Sequence, residues 1–174
     1  MGLFAVASAV APAFVPVNGS RFVHRDIVQF SDTDMAGIMH FANFFRFMER
    51  AEHAFFRSLG YSIMERRERF PADQRVGWPR VHASCDYVSP LRFEDEVEVE
   101  VLVDEIRTRS LKYIFRVRKT DGTLAAEGKI AVVCVRKDPE TRQMKAVAIP
   151  AHILEKIEVA SEEVRRSIRP QIAS

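Results

Sequence analysis

The chain has 174 residues, of which 47% are hydrophobic and 29% charged, and its formal net charge is +2. That length suits one domain with a sizeable core, and the composition excludes the disordered and fibrous classes. No dense run of Lys and Arg exists to bind nucleic acid, so an anionic partner is expected to be a phosphorylated small molecule.

Residues 1–20, MGLFAVASAVAPAFVPVNGS, are apolar and rich in small side chains. A secretory signal opens on a basic segment, yet the first cationic residue is Arg21, and Pro12 and Pro16 break the apolar run. Val6 stands where a myristoylation motif carries Ser or Thr. A flexible arm or leader is expected over 1–20, followed by a single domain over 21–174. No other stretch reaches the roughly 18 apolar residues of a membrane span, so no membrane partner is expected.

RFVHRDIVQF, residues 21–30, has the alternation and β-branched content of a strand, and Ser31, Asp32, Thr33 and Asp34 are loop chemistry. From Phe41 the pattern becomes helical. At about 100° per residue, Phe41, Phe44, Phe45, Phe47, Met48, Ala51, Phe55, Phe56 and Leu59 share one broad arc. Asn43, Arg46, Glu49, Arg50, His53 and Arg57 take the other side, and Gly60 supplies a stop. Phe44, Phe47 and Phe55 are read as core, with an aromatic acyl pocket as the alternative. Glu52 falls inside the apolar arc, where an unpaired carboxylate is costly. A buried ion pair, or a contact with Arg46 or Arg50 of a neighbour, is expected there ahead of a substrate role. MERRERF, residues 64–70, alternates in sign and reads as a solvated helical face or turn.

Four long strand-like runs follow: RVHASCDYVSP, DEVEVEVLVDEI, SLKYIFRVRKT and TLAAEGKIAVVCVRK. In the second, Val97, Val99, Val101 and Val103 alternate with Glu98, Glu100 and Leu102. Asp121 and Gly122 mark a hairpin between the last two. QMKAVAIP adds a short strand, and residues 151–169 read as a C-terminal helix. One long helix after the first strand, then several antiparallel strands, is an α+β domain whose curved sheet wraps the helix, the hotdog fold.

Cys85 and Cys134 are far apart and are expected to be reduced thiols of a cytoplasmic protein. The histidines, His24, His40, His53, His82 and His152, show no metal-ligand spacing, so no metal or other cofactor is expected. There is no glycine-rich phosphate loop, no G-x-S-x-G elbow and no Cys/His pair suited to nucleophilic catalysis.

Two acids one residue apart, Asp32 and Asp34, precede the helix. By position alone they cap the turn. The segment Asp32 to Asp34, followed by Ala36, Gly37, Ile38, Asn43, Phe44, Arg46, Phe47 and Glu49, resembles the acyl-CoA thioesterase family typified by 4-hydroxybenzoyl-CoA thioesterase. DYVSPLRFEDEVEVEV and IPAHI are similar to later segments of that family, so the resemblance covers roughly residues 21–157. It implies hydrolysis of a small or aryl acyl-CoA, with Asp34 as the catalytic carboxylate and a backbone N–H near Phe41 polarising the thioester carbonyl. Gly37, His40, Asn43 and Glu49 are the candidate substrate-site positions, with a helix-start or packing role as the alternative for His40 and an exposed polar helix position as the alternative for Asn43. Relatives carry a histidine where this chain has Phe41, with His40 just upstream. A second branch of hotdog thioesterases takes its carboxylate from the helix, which keeps Glu49 and Glu52 as rivals.

The chemistry agrees with that placement. Thioester hydrolysis needs a carboxylate to attack or to activate water, and a donor for the oxyanion; a helix start has N–H groups without intrahelical acceptors. A dehydratase or hydratase using His40 with Asp34, and a non-catalytic acyl-CoA sensor, are the alternatives. Arg136, Lys137 and Arg142 are candidates for the CoA phosphates by charge. Long exposed strand edges predict a homodimer with a continuous sheet, doubled to a tetramer.

Overall fold

Helix α1 (Asn43–Ser58) is the centre of the fold in the computed structural model, which describes residues 19–63, 75–138 and 140–166. Its inward residues follow the predicted spacing: Phe44, Phe47, Met48, Ala51, Phe55 and Phe56 are all buried. Each of those phenylalanines contributes about 1.5–3 kcal/mol of transfer free energy, so Phe44, Phe47 and Phe55 belong to the core. The helix starts two residues later than the spacing suggested. Phe41 and Ala42 form a turn ahead of it, because the backbone there is tied to the preceding loop.

The helix ends as the sequence required. Gly60 has φ +86°, its N–H donates to Arg57 O, and the Tyr61 N–H donates to Phe56 O, which is a Schellman closure. Lys156 Nζ adds a bond to Leu59 O at 3.2 Å.

Five strands form one antiparallel sheet: β1 (Arg21–Ile27), β2 (Arg80–Tyr87), β3 (Glu96–Ile106), β4 (Ser110–Lys119) and β5 (Leu124–Val133). Their order is β1-β3-β4-β5-β2, so β1 and β2 are the edges. The alternation in β3 is borne out: Val97, Val99, Val101 and Val103 are buried against the helix. At Gly128 the sheet comes so close to α1 that an added Cβ would lie 2.4 Å from Met48 Cε. Gly122, at φ +92°, turns the β4–β5 hairpin. The fourth predicted run breaks at Cys134, and β6 (Val135–Lys137) pairs instead with β7 (Met144–Ala146) as a separate ribbon.

In place of one continuous C-terminal helix the described residues hold α2 (Ala151–Leu154) and α3 (Glu162–Arg166), separated by non-helical chain. Between them the backbone is taken up by distant partners: Glu158 N–H donates to Gly19 O, and Ala160 N–H to Val103 O. Gly19 and Ser20 are therefore anchored, whereas the rest of the expected arm and the segment 64–70 lie outside the described residues. The C-terminal segment covers the outer face of the sheet, where Ala160 and Val164 pack on Leu102 and Ile114. Beneath it Arg116, 2% exposed, pairs with Glu100 and Glu127 and donates to the carbonyls of Val164 and Arg165.

Candidate active site

The loop between β1 and α1 is built from its own backbone. Residues Phe30–Asp32 make a single 3-10 turn, and Asp32 Oδ2 accepts the Gln29 N–H at 2.9 Å. Asp32 is 7% exposed, and its carbonyl accepts both the His40 N–H at 2.9 Å and the Asn43 side-chain amide at 2.8 Å. Asp32 thus fastens the loop to the start of α1. Asn43, expected near substrate, uses its amide to hold that carbonyl.

Beyond Asp32 the chain makes a narrow hairpin. Thr33 pairs with Met39, Asp34 N–H donates to Ile38 O at 2.9 Å, and Gly37 N–H donates to Asp34 O at 3.0 Å. Gly37 has φ +73°, a conformation that disfavours any side chain. Asp34 is exposed at this hairpin. Its Oδ1 accepts the Ala36 N–H at 2.8 Å, while no donor among the described residues reaches its other oxygen. One oxygen is held and the other is open.

The turn that follows presents Phe41, 62% exposed, with its ring against that of His40 at 4.4 Å. The Phe41 carbonyl accepts the Tyr87 hydroxyl at 3.1 Å, whereas its N–H meets no acceptor among the described residues. His40 Nδ1 accepts the Ala42 N–H at 3.3 Å, which places any ring proton on Nε2.

Asp34, Gly37, His40, Phe41 and Asn43 therefore share one loop and turn. Glu49 lies further along α1, where Arg80 Nη2 is 3.2 Å from Glu49 Oε1 and 2.6 Å from Glu52 Oε2. The Glu52 partner is thus Arg80 of the same chain; Arg50 pairs with Asp26 at 2.7 Å. Burial pushes the Glu52 carboxyl up to about 7, with Arg80 opposing and Glu49 reinforcing. Sequence reading missed Arg80 and Tyr87, because their reach to α1 depends on the pairing of β2 with β5. Tyr87 also stacks edge-on to Phe44 at 5.2 Å.

Arg136, Lys137 and Arg142 lie on or beside the β6–β7 ribbon, which joins the sheet through the Gly77–Val135 bridge near Arg80. That is the opposite end of β2 from Tyr87 and the Asp34 loop. Among the described residues no three His, Cys, Asp or Glu side chains converge as a metal site, and no helix is long and apolar enough to cross a membrane.

A curved sheet of this order around one long helix is the hotdog architecture. A 4-hydroxybenzoyl-CoA thioesterase crystallised with 4-hydroxybenzoyl-CoA shares this fold at a TM-score of 0.70, with 21% identity over 80% of this chain and 99% of that one. The chain belongs to the thioesterase-like superfamily, whose family model matches residues 28–157. A protein of Aquifex aeolicus, named only as an esterase candidate, is 32% identical over 77% of this chain and 95% of its own length. The acyl-CoA thioester hydrolase YbgC of Escherichia coli is 29% identical over 73% of this chain and 88% of its own.

Proposed function

We propose that the protein hydrolyses acyl-CoA thioesters to the free acid and CoA, with Asp34 as the reacting carboxylate and the Phe41 N–H as oxyanion donor. The observation that carries the reading is that one hydrogen-bonded loop and turn carries both a carboxylate oxygen and an N–H that meet no partner among the described residues, within a chain of the thioesterase superfamily. Acyl-CoA is the substrate class because YbgC, similar across most of this chain, is named for that reaction.

The Ala36 N–H fixes Asp34 Oδ1, leaving Oδ2 to take a proton from water or to add to the carbonyl carbon itself. Negative charge then develops on the thioester oxygen. The Phe41 N–H, just ahead of α1 and favoured by the helix dipole, stabilises it there. Collapse of the tetrahedral adduct breaks the C–S bond, and the CoA sulfur leaves as thiolate or takes a proton. On the attack route, water then hydrolyses the acyl-aspartyl anhydride and returns the carboxylate.

The free edge of β2 supports a homodimer with a continuous sheet, and pairs of dimers would give the tetramer. Antiparallel β2 pairing would carry the β6–β7 ribbon of one protomer towards the Asp34 loop of the other, where Arg136, Lys137 and Arg142 could meet CoA phosphates. The two free thiols suit a cytoplasmic location. The test is a screen of short, long and aryl acyl-CoAs read by release of free thiol. Hydrolysis of at least one class is expected, and no release from any of them overturns the reading.

A further inference from the structure

The turn that carries the Phe41 N–H is tied mostly to itself. His40 N–H donates to Asp32 O at 2.9 Å, Asn43 N–H donates to His40 O at 2.9 Å, and Ala42 N–H donates to His40 Nδ1 at 3.3 Å. All of these bonds stay within residues 32–43. The Phe41 carbonyl, which lies ahead of helix α1, takes its donor from the sheet instead: the Tyr87 hydroxyl, at 3.1 Å.

Strand register brings that hydroxyl to the turn. Cys85 and Tyr87 of β2 lie opposite Gly128 and Ala126 of β5, on the face turned to α1, because Gly128 meets Met48 there. Phe44 stands one helical turn before Met48, and the Tyr87 ring packs edge-on against it at 5.2 Å and 74°. That contact restricts the ring and holds its oxygen at the Phe41 carbonyl. Partial burial, and then the neighbouring Cys85 thiol, push the Tyr87 phenol above its ordinary value, so it remains a proton donor through the neutral range. Phenylalanine would fill the space beside Phe44 equally well, so the hydroxyl is the feature that packing leaves unexplained.

We propose that Tyr87 is a positioning residue for the reaction: by holding the Phe41 carbonyl, its phenol keeps the Phe41 N–H in the orientation that meets the developing oxyanion, an inference that rests on the thioesterase reading above. The two peptide planes that join at the Phe41 Cα are then both fixed. The plane that carries the Phe41 N–H is held at its oxygen by the Asn43 N–H; the next plane is held at its oxygen by Tyr87 and at its nitrogen by the His40 ring. An oxyanion donor is effective only within about 2.7–3.1 Å of the place the charged oxygen comes to occupy, so slack in either plane lowers the rate. The neutral carbonyl of the bound substrate depends on that donor less than the transition state does, so the loss falls on turnover rather than on binding. Tyr87 itself touches no reacting atom in this account.

The experiment compares wild type with Y87F, which keeps the ring against Phe44 and removes only the hydroxyl. For both proteins kcat and KM are measured by thiol release from the best acyl-CoA of the screen, together with the melting temperature and the mass by light scattering. Y87F is expected to lose about tenfold in kcat with KM within about twofold of wild type. It should melt within a few degrees of wild type and assemble to the same mass. An unchanged kcat in Y87F overturns the inference. So does a loss that appears in KM, or one that follows a loss of folded or assembled protein, because the hydroxyl would then be a binding or a stabilising group. Absence of thiol release by wild type from every acyl-CoA, including aryl and short ones, instead removes the thioesterase reading on which the inference rests.

Discussion

Burial opposes ionisation of Glu52, and Arg80 offsets that burial only in part. Below pH about 4.5 the folded and unfolded chains both hold its proton; between there and about 7 the unfolded chain releases it first. The contribution of this group to stability is therefore present at acid pH and lost as the pH rises through 7, by about 3 kcal/mol. Denaturant unfolding of wild type and E52Q at pH 5 and pH 8 should show wild type losing about that much more than the variant over the interval. Parallel pH dependence in the two proteins would contradict it. Arg80 also reaches Glu49 and is partly solvated, so replacing Glu52 does not strand a buried cation, as a pairing sealed in the core would have done. The odd placement of Glu52 was legible from helical spacing alone. Its partner was not, because Arg80 comes to α1 only through the register of β2 on β5.

At the scale of elements, the active loop is held by helix α1 through one side chain. Asn43→Ala would release the Asp32 carbonyl from the helix start, leaving the His40 N–H as its remaining donor. Loss of that hydrogen bond should cost about 1 kcal/mol of stability. Displacing the loop by a fraction of an ångström should lower turnover about tenfold, since reaction depends steeply on the attack geometry. Melting and thiol-release assays on N43A check both, and an unchanged rate would show that Asn43 does not position the loop. The elements themselves were readable wherever the signal was local. The Phe44, Phe47, Met48 and Ala51 spacing located α1, the valine alternation located β3, and Gly60 and Gly122 marked their turns. The C-terminal segment was not readable in the same way. Its Glu158 and Ala160 amides bond Gly19 and Val103, so long-range backbone pairing overrides a helical pattern there. Arg116 was hidden for a related reason: its surroundings come from β3, β5 and the chain end together.

Among the described residues β2 is an edge strand beside the reacting loop, with Val81, Tyr87 and Val88 exposed. A continuous intersubunit sheet would cover it, and light scattering at micromolar concentration should give at least twice the chain mass. A stable monomer that hydrolyses thioesters would refute the dimer while sparing the loop chemistry. The central claim is that catalysis by this molecule depends on the Asp34 carboxylate. The direct measurement is thiol release by wild type, D34N and D32N on the best acyl-CoA from the screen, with binding of that acyl-CoA followed in parallel. D34N should fold and bind yet lose about a hundredfold or more in turnover, while D32N, which keeps an acceptor for the Gln29 N–H, should lose far less. Full activity in D34N, or a loss in D32N as deep as in D34N with folding and binding intact, would contradict the account.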